Sequence, residues 1–293
     1  MGMVQGIVEK RGIAARPAVV PRPWLAVGTL SAREWVRFVR QRNRVFGAIG
    51  QPIIFWLLFG AGLGPTFRLA GDEAGRLSYR EYFFPGSLIL ILLFTAIFAT
   101  ISIIEDRREG FLQSVLVAPI PRWSMVLGKI IGGSAIAMVE GLLFLALGLT
   151  LGVHFTPLSL ALIVLLLALL SLALTSLGFV IAWRMDSTQG FHAIMSVFLM
   201  PMWLLSGAFF PPPPLVADSN WTQWALSLVM QVNPLTYGVA ALRWLMYANV
   251  ADPPLPPNMP GLTLCWVVTI GFALVMFALA WFVAKGRTTG DML

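Results

Sequence analysis

The sequence predicts an all-α membrane protein with six transmembrane helices. Hydrophobic residues make up 58% of the 293 residues and charged residues only 11%, which is not the composition of a soluble globular protein. The apolar residues form six windows of about 20, long enough to cross a hydrocarbon core of about 30 Å as helices. Sixteen of the 20 lysines and arginines fall on one side of a six-span arrangement, and the positive-inside rule makes that side cytoplasmic.

The N-terminal part of the chain is basic and precedes the first span. Residues 1–23 contain lysine, arginine and proline and are expected to form a flexible basic tail. Residues 24–44 predict an amphipathic helix in the membrane interface, with its arginines toward anionic headgroups. Its arginine stripe is Arg33, Arg37, Arg40 and Arg44, and its apolar side carries Ala32, Trp35, Val36 and Val39. A basic helix packed on a soluble partner is the alternative.

The transmembrane domain is expected to cover residues 45–284, and residues 285–293 a polar cytoplasmic tail. Two pairs of glycines four residues apart, Gly60 with Gly64 and Gly128 with Gly132, predict close helix contacts within the membrane. The predicted spans are 45–64, 83–104, 125–152, 158–183, 190–210 and 262–284. With six spans, both termini lie on the cytoplasmic side.

Residues 211–260 interrupt this pattern on the predicted extracytoplasmic side. Four consecutive prolines open the region, and two short apolar segments, 221–231 and 236–248, follow on either side of Asn233 and Pro234. Each segment is too short to cross a bilayer as a helix. Non-helical backbone at membrane depth needs cover from protein or water, so this pattern predicts short re-entrant or interfacial helices before the last span.

The segment 105–123 is the most informative stretch of the sequence. It begins with five consecutive charged residues, and four apolar residues on one helical face follow. Pro119 and Pro121 end that helix because proline lacks the backbone donor. Gly110 is expected to adopt a positive φ in the turn before it. The pattern predicts a short helix that another protein can hold; a solvated loop whose charges only set the topology is the alternative.

The sequence contains no recognisable catalytic or nucleotide-binding motif. Neither a G-x-x-x-x-G-K-[ST] phosphate loop nor an H-E-x-x-H or G-x-S-x-G pattern occurs. The single cysteine, Cys265, permits no internal disulfide. The net charge of +7 follows the membrane topology, so no nucleic-acid partner is expected. If this chain moves a substrate uphill, another chain must supply the energy.

Glu140 is the one acidic residue deep inside a predicted span. An ionisable side chain at that depth is costly and usually faces a bundle interior or a wet cavity. Two interpretations stay open: a role in a transport pathway or a dimer interface, and a structural acid that binds a neighbouring helix.

The order of several motifs resembles the ABC-2 type transporter permeases, the membrane subunits of ABC exporters. The resemblance covers about residues 30–285 and depends on the order and spacing of the motifs together. They are Gln51-Pro52, Leu58–Gly64, Phe84–Ser87, Asp106–Leu112, Pro119–Arg122, Leu127–Lys129, Pro201 with Ser206-Gly207, and Asn233–Tyr237 with Leu242-Arg243.

The resemblance implies a multi-pass permease of the cell (inner) membrane, paired with a second permease subunit either as a homodimer or as a closely related pair. Two copies of a separate ABC ATPase would bind ATP and Mg, and this chain itself would hold no cofactor and would not be an enzyme. The substrate would be amphiphilic or hydrophobic, such as a drug, lipid, glycolipid or polysaccharide. The first-span motifs are more similar to the drug and lipo-oligosaccharide type.

The resemblance also implies roles for individual residues. The coupling helix would seat apolar side chains in a groove of the ATPase, with polar contacts at the rim, and the split helices would form an extracytoplasmic gate. The coupling residues are Arg108, Glu109, Gly110, Phe111, Leu112, Val115, Pro119, Pro121 and Arg122, and the gate residues are Asn233, Pro234, Tyr237 and Arg243.

Two other classes of function remain as alternatives. A secondary transporter driven by an ion gradient predicts charge pairs within the membrane and internal repeats. A membrane enzyme acting on lipid predicts clustered acids or histidines at one membrane face. The sequence shows a lone Glu140 and two distant histidines, His154 and His192, so it favours neither class.

Overall fold

The structure is a computed structural model, and it describes residues 22–64, 67, 77–153, 155–213, 219–251, 253–256 and 258–286. Nearly all of the predicted basic tail, most of the C-terminal tail and His154 lie outside these ranges. All regular secondary structure in the described ranges is helical. The helices are α1 Pro23–Arg40, α2 Arg42–Leu63, α3 Tyr79–Arg108, α4 Phe111–Val117, α5 Arg122–Leu147, α6 Pro157–Trp183, α7 Thr188–Ile194, α8 Met200–Trp203, α9 Trp221–Val232, α10 Pro234–Met246 and α11 Leu262–Lys285.

Six helical segments of the described chain are long and apolar enough to cross a membrane. Each coincides with a predicted span to within a few residues, so the predicted all-helical, multi-pass architecture is confirmed. The segments are Val45–Leu63, Tyr79–Arg108, Arg122–Leu151, Pro157–Trp183, Thr188–Ala208 and Leu262–Lys285.

Helix α3 lies at the centre of the bundle. It is apolar on all sides, the pattern of a helix surrounded by other helices, and the residues from Leu88 to Leu93 are at most 1% exposed. Helices α2, α5 and α6 pack around it. A capping box begins the helix: the Ser78 side chain accepts from the Glu81 amide, and the Glu81 carboxylate accepts from the Ser78 amide.

Helix α1 runs along the first turns of α5 in the same direction. Glycines on α5 allow this packing, since a Cβ on Gly128 would lie 2.9 Å from the Leu30 Cβ and one on Gly132 would lie 2.9 Å from the Glu34 Cβ. The predicted small-residue contact at Gly128 and Gly132 is therefore present, and it joins the N-terminal helix to a transmembrane helix.

The fifth span is irregular. Helices α7 and α8 are joined by a π-helical segment, Met195–Leu199, and a second π segment, Leu204–Ala208, follows α8. Pro201 cannot donate to the backbone ladder, and wide turns of this kind are uncommon outside functional regions. The Trp203 indole donates to the Gly86 carbonyl at 2.8 Å, which attaches this span to α3.

Helices α9 and α10 form the predicted pair of short helices, bent by 77° at their junction. Asn233 has an extended conformation (ψ 117°) and is both the end of α9 and the N-cap of α10. Pro234 occupies the first helical position, where its missing N–H costs nothing. The chain therefore breaks at the residues that the sequence indicated.

Candidate functional site

The α3–α4 turn has the conformation that the sequence predicts. Glu109 caps α3, Gly110 has a φ of 75°, and α4 begins at the next residue. The positive φ of Gly110 is confirmed. A Cβ there would meet nothing within 4 Å, so a substitution would be strained by the backbone conformation alone. The charged residues before the turn belong to the last turn of α3 instead of forming a loop.

One apolar residue of α4 does not lie on the exposed face where it was expected. Leu112 is 2% exposed and packs into this subunit's own core, so the expectation that it seats in an ATPase groove is wrong. Leu112 anchors α4 to the bundle. Val117 is 85% exposed, and Arg108, Glu109 and Pro119 are exposed beside it.

The remaining apolar residues of α4 are half-buried. Phe111 and Val115 pack against the core from the edge of α4. The guanidinium carbon of Arg33 lies 3.8 Å from the centre of the Phe111 ring, a cation–π contact that links α4 to α1. Helix α4 is thus held on one side by Leu112 and on another by Arg33.

Next to α4, six charged side chains from three helices form an ionic cluster. The carboxylate of Asp106 lies at its centre and is fully buried. Arg33 donates to both of its oxygens, at 2.7 and 2.9 Å, and Arg37 donates to it at 2.8 Å. The buried ammonium of Lys129 contacts both Asp106 and Glu34. The cluster consists of Arg33, Glu34, Arg37, Glu105, Asp106 and Lys129.

Three positive and three negative charges in the ionic cluster offset one another. A buried charge is tolerated when it is paired and hydrogen-bonded, and removing one partner leaves an uncompensated charge. Burial disfavours the charged form of Arg33, but its hydrogen bond to Asp106 and the nearby carboxylates raise the pKa of its guanidinium, so it stays ionised. The cluster joins α1, α3 and α5 at one end of the bundle.

This cluster corrects the expectation for two members of the predicted arginine stripe, which does not lie on one helix: Arg33, Arg37 and Arg40 belong to α1 and Arg44 to α2. Arg33 and Arg37 bind the carboxylates of α3 instead of facing lipid headgroups. The buried residues of α1 are Val27, Leu30, Glu34 and Phe38, whereas Trp35, Val36 and Val39 of the predicted apolar side are exposed.

Two arginines near α4 bind the C-terminal ends of other helices. Arg122 donates to the carbonyls of Ala284 and Lys285 at the end of α11, at 3.1 and 2.9 Å. Arg107 donates to the carbonyls of Trp183 and Met185, at 2.7 and 3.1 Å. Such carbonyls lack partners within their helix and attract cations, so both arginines hold the bundle together at this end.

Glu140 lies on α5 and is 3% exposed. One of its oxygens accepts a hydrogen bond from the Thr95 hydroxyl of α3. The other, Oε1, has no hydrogen-bond partner among the described residues. Glu140 also lines a cavity of about 440 Å³ between α1, α2 and α5.

The predicted gate residues lie at the opposite end of the bundle, since Arg243 contacts the first turn of α3. The Asn233 side chain donates to the Met202 carbonyl at 2.5 Å and accepts from the Leu235 amide at 3.0 Å. Tyr237 donates to the Gln231 carbonyl at 2.8 Å. These bonds fix the angle of the break before Pro234.

Arg243 is buried inside the subunit. It donates to the Gly207 carbonyl at 2.8 Å and to the Tyr82 carbonyl at 3.3 Å. Its guanidinium also lies 4.2 Å from the centre of the Tyr82 ring. Through these contacts α10 is attached to the irregular fifth span and to α3.

Comparison with known proteins agrees with this architecture. The sequence model of the family described as ABC-2 type transporter matches residues 26–247, most of the chain. The chain belongs to the ABC-2 type transporter family. Membership makes it the membrane subunit of an ABC transporter, which works with an ABC ATPase.

Several relatives of this ABC-2 chain are named as permeases. It is 26% identical to "Putative transport permease ycf38" of Cyanophora paradoxa, over 74% of this chain and 72% of that protein. It is 24% identical to the inner membrane transport permease YadH of Escherichia coli (strain K12), over 90% of this chain and 96% of YadH. It is 26% identical to "Probable multidrug ABC transporter permease YbhR" of the same strain, over 55% of this chain but only 42% of YbhR.

Sequence reasoning missed the ionic cluster and the exposed Val117 of this ABC-2 subunit. One signal was available. Glu34 lies on the same helical face as Val27, Leu30 and Phe38, and an acid on a buried apolar face needs a cationic partner. The identity of that partner, Lys129, could not be read from the sequence because 95 residues separate the two.

Proposed function

We propose that this chain is the permease subunit of an ATP-driven exporter that moves an amphiphilic or hydrophobic substrate out of the cytoplasm. Two copies would form the pathway, and two copies of a separate ATPase would bind ATP and Mg below it. Residues 105–123 would lie in the cytoplasm with both termini, and the α9–α10 pair would lie on the outer side. The charge distribution of the sequence supports this orientation.

The main support for this proposal is the set of contacts between α4 and the neighbouring helices. The helix is short and is exposed at Val117, while Leu112 packs into the core of the subunit. The Phe111 ring contacts Arg33 of α1, and Arg33 belongs to the ionic cluster that joins α1, α3 and α5. A partner that pushes on such a helix moves α1, α3 and α5 together, because buried ion pairs resist separation. Arg108 and Glu109, both exposed, would contact the rim of the partner's groove.

At the outer end, the break between α9 and α10 would form a gate. Asn233 and Arg243 attach α10 to the fifth span, so movement of that span would be transmitted to the break at Pro234. The cavity at Glu140, between α1 and two candidate membrane spans, supports a role for this acid in the pathway. The relative named a multidrug permease supports a hydrophobic or amphiphilic substrate.

A secondary transporter is the second candidate, and the buried charge pairs of the ionic cluster are the observation in its favour. These pairs bind α1 to the ends of α3 and α5 instead of lining the cavity at Glu140. Such a position suits a mechanical connection better than an ion pathway.

The experiment that separates the two functions uses the permease and its co-purifying ATPase in proteoliposomes, with a lipophilic fluorescent cation such as rhodamine as the probe. We expect transport that requires ATP and persists when a protonophore and a sodium ionophore abolish the ion gradients. A Walker lysine variant of the ATPase should abolish it. Transport that continues without ATP and stops with the ionophores would show that the secondary-transporter interpretation is correct.

A further inference from the structure

The cavity at Glu140 has an almost entirely apolar lining, and Glu140, whose buried Oε1 has no hydrogen-bond partner among the described residues, is one of its lining residues. It lies between α1, α2 and α5 and has a volume of about 440 Å³, within the range of roughly 300–1,000 Å³ for small-molecule sites. Its walls include Phe38, Phe46, Ile136 and Leu143, and the exposed Arg42 also lines it.

The residues that line the cavity indicate the class of ligand that it can bind. Thr95 satisfies one oxygen of the Glu140 carboxylate, and Oε1 has no partner among the described residues. A buried carboxylate oxygen without a hydrogen-bond donor is unfavourable. A cationic N–H donor would balance the charge of the carboxylate and donate to the lone pair of this oxygen. The surrounding walls suit a hydrocarbon or aromatic body.

We infer that this cavity binds a drug-sized amphiphile through a protonated amine placed on Glu140 Oε1. The apolar part of the ligand would lie between α2 and α5, where Phe46 is 74% and Leu143 58% exposed. These exposed apolar side chains belong to two candidate membrane spans, so we expect the ligand to enter from the membrane. Binding is independent of the proposed function; only export of the bound amine depends on it.

The test measures binding to the purified permease in nanodiscs, without ATPase. The probes are the ω-bromo derivatives of dodecylamine and dodecanol, whose bromine quenches nearby tryptophan. Trp35 lines the cavity, and a Trp35→Phe variant identifies its share of the signal. Because a hydrogen bond to a charged group contributes about 1.5–3 kcal/mol, we expect the amine to bind at least about tenfold more tightly than the alcohol.

Three variants make the test specific. Glu140→Gln keeps the shape of the side chain and should remove the preference for the amine. Asp186→Asn removes a carboxylate whose side chain is 96% exposed, and this variant should retain the preference for the amine. Leu143→Phe should narrow the cavity without adding a tryptophan and should weaken the binding of both probes. If Glu140→Gln does not fold, the amine preference of the unmodified protein and the Leu143→Phe variant decide.

Three results would overturn the inference. They are equal binding of the amine and the alcohol by the unmodified permease, an amine preference that survives in Glu140→Gln, and displacement of the amine by phosphatidylethanolamine but not by phosphatidylcholine. The last result would make the occupant a resident membrane lipid. Amine binding without ATP-dependent transport in proteoliposomes would instead leave the site intact and contradict the proposed export.

Discussion

Asp106 receives two hydrogen bonds from the guanidinium of Arg33, at 2.7 and 2.9 Å, although 73 residues separate the two along the chain. The pair joins the N-terminal amphipathic helix to the end of the central helix, directly beside α4. Arg33 also packs on the Phe111 ring. A single arginine therefore contacts both α4 and the helix that precedes it, α3.

Asp106→Asn should destabilise the subunit by about 3–5 kcal/mol, because it leaves the charges of Lys129 and Arg33 without their shared partner. Thermal unfolding of the purified permease measures this change. The matched control is Asp186→Asn, whose exposed side chain should alter stability by no more than about 0.5 kcal/mol. Equal unfolding temperatures for the two variants would show that the ionic cluster contributes little.

Gly132→Ala should weaken the packing of α1 on α5. The new Cβ would lie 2.9 Å from the Glu34 Cβ and 3.1 Å from the Ser31 Cα, so a backbone must move, at about 1–3 kcal/mol. Gly50→Ala is the control, since a Cβ there meets nothing within 4 Å and alanine favours a helix. Thermal unfolding should separate the two variants, and identical melting would contradict the close contact.

Gly110 should tolerate asparagine better than valine. Its φ of 75° is costly for a residue with a Cβ, by about 1–2 kcal/mol, and asparagine adopts this conformation more readily than a β-branched residue. We expect Gly110→Val to lower ATP-driven transport at normal membrane levels and Gly110→Asn to retain most of it. Equal transport by both variants would mean that the turn does not affect coupling.

The predicted topology can be tested with single cysteines in a Cys265→Ala background. We expect an impermeant maleimide added to intact cells to label Thr222→Cys and to leave Ser114→Cys unlabelled until the membrane is permeabilised. Both positions are exposed. Labelling of Ser114→Cys in intact cells would reverse the proposed orientation.

The six spans and the break at Asn233 could be predicted because they depend on local properties. A window of apolar residues, a proline or a glycine determines the backbone structure at its own position, as the φ of Gly110 illustrates. The spans coincide with helices of the structure for this reason.

The ionic cluster and the orientation of α4 could not be predicted in the same way. They depend on which helices become neighbours: Lys129 meets Glu34 and Asp106 only after α1 and α5 pack. The arginine stripe of α1 has the pattern of a headgroup-binding helix, and tertiary ion pairs replace that role. Leu112 has the pattern of an exposed contact, but the short turn at Gly110 directs it into the bundle.

We propose that the exposed face of α4 docks on a separate ATPase. Val117→Asp, at a side chain that is 85% exposed, tests it most directly, because an exposed substitution should leave folding intact. Val250→Asp, at another exposed valine in the loop after α10, is the matched control. The measurement is the amount of ATPase that co-purifies with each permease at equal membrane level. We expect at least a tenfold loss of ATPase for Val117→Asp, because a buried apolar contact of about 1.5–3 kcal/mol is removed, and no loss for Val250→Asp. Stoichiometric ATPase on Val117→Asp, with full transport, would contradict it.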